Sequence, residues 1–180
     1  MKALLLAGLW LALANSAWAH RLDEYLQAAR ISVTTNRIDL SLDLTPGVAV
    51  ADQLLAIIDK DHDGLVSEDE RATYGQRVLK DLQLQLDEKE LALHLVAVSV
   101  PMFFEIRNGV GVIRIRANAS VGQLVAGKHV LHLTNGHLPA ISVYLVNALT
   151  SQDPAVQVTK QTRDDLQREY RLEFAVNPAR

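Results

Sequence analysis

Apolar and polar residues alternate along most of this chain, and the period of the alternation changes twice. Ile31 and Val33 share one face, Thr34-Thr35-Asn36 turns, and Ile38, Leu40, Leu42 and Leu44 return between Asp39, Ser41 and Asp43. A spacing of two puts one set of side chains in a core and the other in water, so the pair reads as a β-hairpin, broken at Pro46-Gly47. The spacing then lengthens to about 3.6 residues. Val50, Leu54, Ile57 and Ile58 form one apolar stripe, and Tyr74, Val78 and Leu82 form another, which predicts two short helices. Gly75 weakens the second by about 1 kcal/mol relative to alanine.

After the helices the period returns to two. Leu82, Leu84 and Leu86 lead into a turn at Asp87-Glu88-Lys89, and Leu91, Leu93 and Leu95 come back as a second hairpin, which Pro101 ends. Asn108-Gly109 turns the chain into a strand with Ile113 and Ile115 inward and Arg114 and Arg116 outward. Another strand runs from the break at Gly127 through Val130 and Leu133 to a turn at Asn135-Gly136. Residues 141–149 are apolar on both faces and read as the central strand. Residues 157–161 are a weaker strand, and Tyr170, Leu172, Phe174 and Val176 make the last. Short strands at this turn spacing predict a mainly β fold, an Ig-like antiparallel β-sandwich, with the helix pair inserted at about 48–82.

Composition narrows the setting. A chain of 180 residues can bury the core of one domain without staples. A formal charge of −3 with no basic run argues against a nucleic-acid partner, and 5% aromatic residues argue against stacking platforms. Lys2, the apolar run 3–14 and the small-x-small triplet Ala17-Trp18-Ala19 have the form of a cleavable signal peptide over residues 1–19. The apolar run falls short of the ~20 residues a spanning helix needs. The expected mature domain is 20–180, periplasmic or secreted, and with no cysteine it has neither disulfides nor a lipid anchor on sulfur.

One stretch carries specific chemistry. Residues 59–70 read Asp-Lys-Asp-His-Asp-Gly-Leu-Val-Ser-Glu-Asp-Glu. Asp59, Asp61 and Asp63 take loop positions 1, 3 and 5, Gly64 position 6, Leu65 position 7, Ser67 position 9 and Glu70 position 12, the pattern of an EF-hand calcium loop. A hard cation with six to eight oxygen ligands needs alternate carboxylates converging on one point while the chain bends around it. Gly64 permits the bend. Leu65 would offer its carbonyl, Ser67 a hydroxyl or a bridging water, and Glu70 both carboxylate oxygens from the first turn of the exit helix. Carboxylates held this close repel one another unless a cation intervenes, so Ca2+ is the expected cofactor. Lys60 and His62 point away, and Val66, which in paired EF-hands meets a second loop, has no second loop to meet.

His20 would become the N-terminus on cleavage and could start a copper-binding histidine brace, with His94, His129, His132 or His137 as the second ligand. His129 and His132, three apart on a strand, face opposite ways and do not chelate together. Ser99, Ser120 and Ser142 lack a nucleophile elbow, and there is no phosphate loop or zinc signature, so the reading is a non-enzymatic binding or structural module.

Residues 20–28 (His-Arg-Leu-Asp-Glu-Tyr-Leu-Gln-Ala), 44–52 (Leu-Thr-Pro-Gly-Val-Ala-Val-Ala-Asp) and 143–149 (Val-Tyr-Leu-Val-Asn-Ala-Leu) resemble the exported N-terminal region of bacterial membrane proteins related to the HupE/UreJ nickel-permease-like group. The resemblance spans most of the mature chain and implies the bacterial periplasm and a membrane-protein partner. A polytopic membrane portion follows in those relatives. This chain reaches Arg180 without one, so the expectation is a free-standing exported form. The rival expectation is an accessory domain that handles copper or nickel for such a partner through a nitrogen-rich site at His20.

Overall fold

The computed structural model describes residues 23–178; the expected signal peptide at 1–19 and His20 lie outside them. Among the described residues, ten strands form two five-stranded sheets, with three helices. In chain order the elements are β1 (Tyr25–Val33), β2 (Arg37–Pro46), α1 (Val48–Ile58), α2 (Glu68–Lys80), β3 (Leu82–Leu86), β4 (Lys89–Leu91) and β5 (His94–Ser99). They continue with α3 (Phe103–Arg107), β6 (Ile113–Ser120), β7 (Gly127–Asn135), β8 (Ser142–Ala148), β9 (Val156–Arg163) and β10 (Glu169–Val176).

The first sheet runs β5-β6-β2-β1-β8 and the second β4-β3-β7-β10-β9. The period-2 residues do what their spacing demands. Ile38, Leu40, Leu42 and Leu44 of β2 and Tyr170, Leu172, Phe174 and Val176 of β10 all point inward, and they share one continuous core with Ile113 and Ile115 of β6 and Leu131 and Leu133 of β7. Helices α1 and α2 lie between β2 and β3 in the chain and add Val50, Leu54, Ile58, Tyr74, Val78 and Leu79 to that core. The apolar stripes of the two helices are thus spent on the sheets.

Several sequence expectations need correction or addition. Residues 141–149 are not central: β8 is the outermost strand of the first sheet and pairs with β1 in parallel, so that sheet is not purely antiparallel. Its outward Val143 and Leu145 sit opposite Leu26 and Ala28 of β1, and these apolar pairs form a strip on the sheet's outer face, with Leu145 still 40% exposed. That strip, not two-sided burial, makes the sequence apolar on both faces. The second hairpin is also shorter than its leucines suggest. β4 ends at Leu91, and the chain then crosses to the first sheet, where β5 brings Leu95 and Val98 against Gly75 of α2. A Cβ on Gly75 would lie 2.8 Å from Val98 Cγ2, so this glycine lets α2 approach β5 and is more than a weak point of its helix. Finally, α3 is a helix that hydrophobic spacing does not show, because five residues are too few for a period; its buried Ile106 meets Ala51 and Leu55 of α1 in a small second cluster.

The outer edge of β8 is partly covered by side chains of β9, the edge strand of the other sheet. Arg163 Nε donates to the Val146 carbonyl at 2.7 Å and Arg163 Nη2 to Asn147 Oδ1 at 2.6 Å. The Ala148 amide donates to Gln161 Oε1 at 3.1 Å, and the Tyr170 hydroxyl donates to the same oxygen at 2.7 Å.

Candidate metal centre

Helix α1 ends where its apolar stripe ends. Asp59 is the C-cap, its amide bonded to the Leu55 carbonyl at 2.8 Å, and Ser67 is the N-cap of α2. Between them the chain reverses through two left-handed residues, His62 at φ 60° and Gly64 at φ 83°; the second is the position expected to be glycine. Short-range bonds hold the turn. Gly64 N donates to Asp59 Oδ2 at 3.1 Å, Asp63 N to Asp61 Oδ1 at 3.2 Å and Leu65 N to Asp63 Oδ1 at 2.8 Å.

These bonds gather three of the expected ligands. Asp59, Asp61 and Asp63 each place a carboxylate oxygen within 4.8 Å of the others. Oxygens about 2.4 Å from one calcium ion can stand at most twice that distance apart, so the three fit a single coordination shell. Asp61 and Asp63 are exposed, whereas Asp59 is only 4% exposed, and its Oδ1 is a buried oxygen with no hydrogen-bond partner among the described residues. An unsatisfied buried carboxylate oxygen is costly, and a cation is one partner that could relieve that cost.

Glu70 lies elsewhere. It is the third residue of α2 and forms a reciprocal capping box with Ser67: Glu70 N donates to Ser67 Oγ, and Ser67 N and Oγ both donate to Glu70 Oε2. Its other oxygen accepts from Lys60 N at 2.6 Å. The Ser67 and Lys60 backbone amides, followed by the Ser67 hydroxyl, hold the Glu70 carboxyl down at about 2. Ser67 and Glu70 are therefore engaged with each other, not grouped with the three aspartates. The Leu65 side chain is 70% exposed, and Val66 packs partly buried on the main core, the contact that replaces a second loop.

Among the described residues, the histidines do not assemble. His94 and His132 are exposed, while His129 and His137 are buried in separate places, each against a carboxylate. His129 Nδ1 meets Asp87 Oδ2 at 2.6 Å, its Nε2 meets the Val125 carbonyl, and its ring stacks on Phe174. Among the described residues, the three aspartates are the only group of three or more such side chains that could hold a metal.

Sequence patterning did not reveal a buried polar chain behind the loop. Tyr25 and Tyr74 hydroxyls meet at 2.6 Å, Tyr74 Oη meets His137 Nε2 at 3.1 Å, and His137 Nδ1 meets Asp81 Oδ2 at 2.8 Å. His137 is completely buried, and its carbonyl accepts from Gln27, Ser142 and Tyr144. The visible signal was a tyrosine in the apolar stripe of α2, whose hydroxyl needs a partner once buried.

No family model matches this chain, and no curated protein matches it. Among the described residues, no helix is long and apolar enough to cross a membrane.

Proposed function

We propose that residues 59–70 are an EF-hand calcium loop carried on an Ig-like β-sandwich, and that the protein is an exported, non-enzymatic binding or structural module. The observation that carries this reading is a buried Asp59 whose Oδ1 has no hydrogen-bond partner among the described residues and whose carboxylate groups with those of Asp61 and Asp63, in a loop whose spacing matches the motif at every fixed position. Asp59, Asp61, Asp63, the Leu65 carbonyl, Ser67 and Glu70 would hold the ion. Bound calcium would neutralise the carboxylates and tie the end of α1 to the start of α2. The leader at 1–19 supports export, and the resemblance to the exported region of HupE/UreJ-related proteins supports a periplasmic setting with a membrane-protein partner.

Burial of both apolar stripes in the main core favours a stabilising role over a sensor that opens. Extracellular EF-hands bind with Kd of roughly 0.1–1 mM. At ten times Kd, binding adds about 1.4 kcal/mol, and at ~2–4 °C per kcal/mol for a chain this size the midpoint rises by about 3–6 °C. Thermal unfolding of the chain in calcium, in magnesium and in chelator tests this. The expected result is a calcium-specific rise that Asp59→Ala and Glu70→Ala abolish. A midpoint indifferent to calcium, with both variants behaving like the parent, overturns the reading.

A further inference from the structure

The two ends of α2 carry different chemistry. Its first turn bears Glu70, the expected last ligand of the loop. One turn further on, Tyr74 enters the core, and Asp81 caps the far end. Tyr74 and Asp81 grip the two ring nitrogens of His137, which lies on the connection from β7 to β8.

The direction of the hydrogens follows from the ends of the chain. The Asp81 carboxylate can only accept, so Nδ1 carries the ring hydrogen and Nε2 of the neutral imidazole accepts. Tyr74 therefore donates to Nε2, and Tyr25 donates to Tyr74. Adding a proton to His137 reverses the sequence. Nε2–H must then donate to Tyr74, Tyr74 must turn its hydrogen toward Tyr25, and the Tyr25 hydrogen has no acceptor, because Tyr74 is its hydroxyl's sole partner among the described residues. The reversed chain leaves a buried cation and an orphaned donor, and the relief open to it is movement of Tyr74 away from His137.

We infer that Tyr74, Asp81 and His137 are positioning residues for the metal loop, and that a proton on His137 and a divalent cation in the loop oppose each other. The inference rests on the calcium reading above. Glu70 lies four residues before Tyr74 on the same helix, so a shift of Tyr74 is a shift of the turn that must deliver Glu70. That delivery already requires Glu70 to release Lys60 and Ser67.

The groups facing His137 set the sign. From α2 come Tyr74, Arg77 and Asp81; from β1, Tyr25; from β8, Tyr144, with Arg168 over its ring at 5.9 Å. Burial disfavours the imidazolium most, Arg77 adds to this, Asp81 works against it, and the net effect lowers the ring below its ordinary value. The unfolded chain takes up this proton near pH ~6.5. The stabilisation is therefore complete above that pH and is lost as pH falls from it toward the lowered folded value.

The test is calorimetric titration of the chain with calcium chloride at about pH 7.5 and about pH 5.5, with the ring tautomer read from long-range nitrogen–proton spectra. The parent is expected to lose more affinity for calcium at the lower pH than His137→Gln, which changes by less than about twofold. Tyr74→Phe keeps the ring in the core but removes the hydroxyl, and it is expected to weaken calcium at the higher pH and flatten the profile. The His137 spectrum is expected to show hydrogen on Nδ1. Superimposable pH profiles for the parent and both variants overturn the linkage, as does a ring with hydrogen on Nε2 at the higher pH. Calcium bound with pH-indifferent affinity removes the linkage alone; no calcium binding at either pH removes the calcium reading and the linkage together.

Discussion

Gly75→Ala separates two views of the α2 helix. In an exposed helix the change gains about 1 kcal/mol of propensity. Here the new Cβ would stand 2.8 Å from Val98 Cγ2 and 3.0 and 3.1 Å from the two Leu95 methyls. The leucine tips can turn aside, but Val98 is branched at Cβ and stiff, so α2 must lift from β5 or the strand must shift. Overpacking of this kind costs ~1–3 kcal/mol, which leaves a net loss of about 1 kcal/mol and a midpoint lower by roughly 3 °C. Urea and thermal unfolding in chelator, which removes any metal effect, measure it. The decisive comparison is the same substitution in a Val98→Ala background. With the obstructing methyls gone, Gly75→Ala is expected to stabilise by about 1 kcal/mol, a coupling of about 2 kcal/mol between neighbours. If Gly75→Ala stabilises the parent by its full propensity, or if the two changes simply add, the close approach of α2 to β5 is not what this glycine serves.

Three further outcomes follow from particular contacts. For His129, burial opposes protonation, but the Val125 carbonyl and the Asp87 carboxylate outweigh it and raise the ring; for Asp87, burial raises the carboxyl, but bonds from His129 and the Val130 amide bring it down. The pair therefore stabilises between the lowered value of Asp87 and the raised value of His129, and Asp87→Asn is expected to depress the unfolding midpoint more at pH ~5.5 than at pH ~9; an equal depression at both pH values refutes the pairing. Leu145→Thr, on the outer face of edge strand β8, is expected to change stability by less than about 0.5 kcal/mol, whereas Leu42→Ala, completely buried on β2, costs ~2–5 kcal/mol by denaturant unfolding. Ser67→Ala removes the N-cap of α2 and is expected to cost about 1 kcal/mol in chelator, and a loss seen only with calcium present would show that capping contributes nothing.

The strands were legible where a single face is buried. Ile38 to Leu44 on β2 and Tyr170 to Val176 on β10 alternate because one side meets the core and the other meets water. The turn between α1 and α2 was legible because what shapes it is local: its bonds join positions two to five apart, and they gather Asp59, Asp61 and Asp63. What could not be read depends on distant partners. Tyr25, Tyr74, His137 and Asp81 meet across separations of 49, 63 and 56 positions, and no local period encodes such a meeting. Strand order failed for the same reason. An edge strand with an apolar outer strip and a strand buried on both faces have the same composition, and the parallel pairing of β8 with β1 decides between them.

The seam at β8 and β9 has a consequence for life at high concentration. A sheet margin with vacant amides and carbonyls is a template for recruiting foreign strands, and this protein has no cysteine with which to lock its halves together. Arg163 and Gln161 occupy part of that margin from the opposite sheet, so an intruding segment must first evict a guanidinium and an amide from their places. Side chains from one rim thereby guard part of the other.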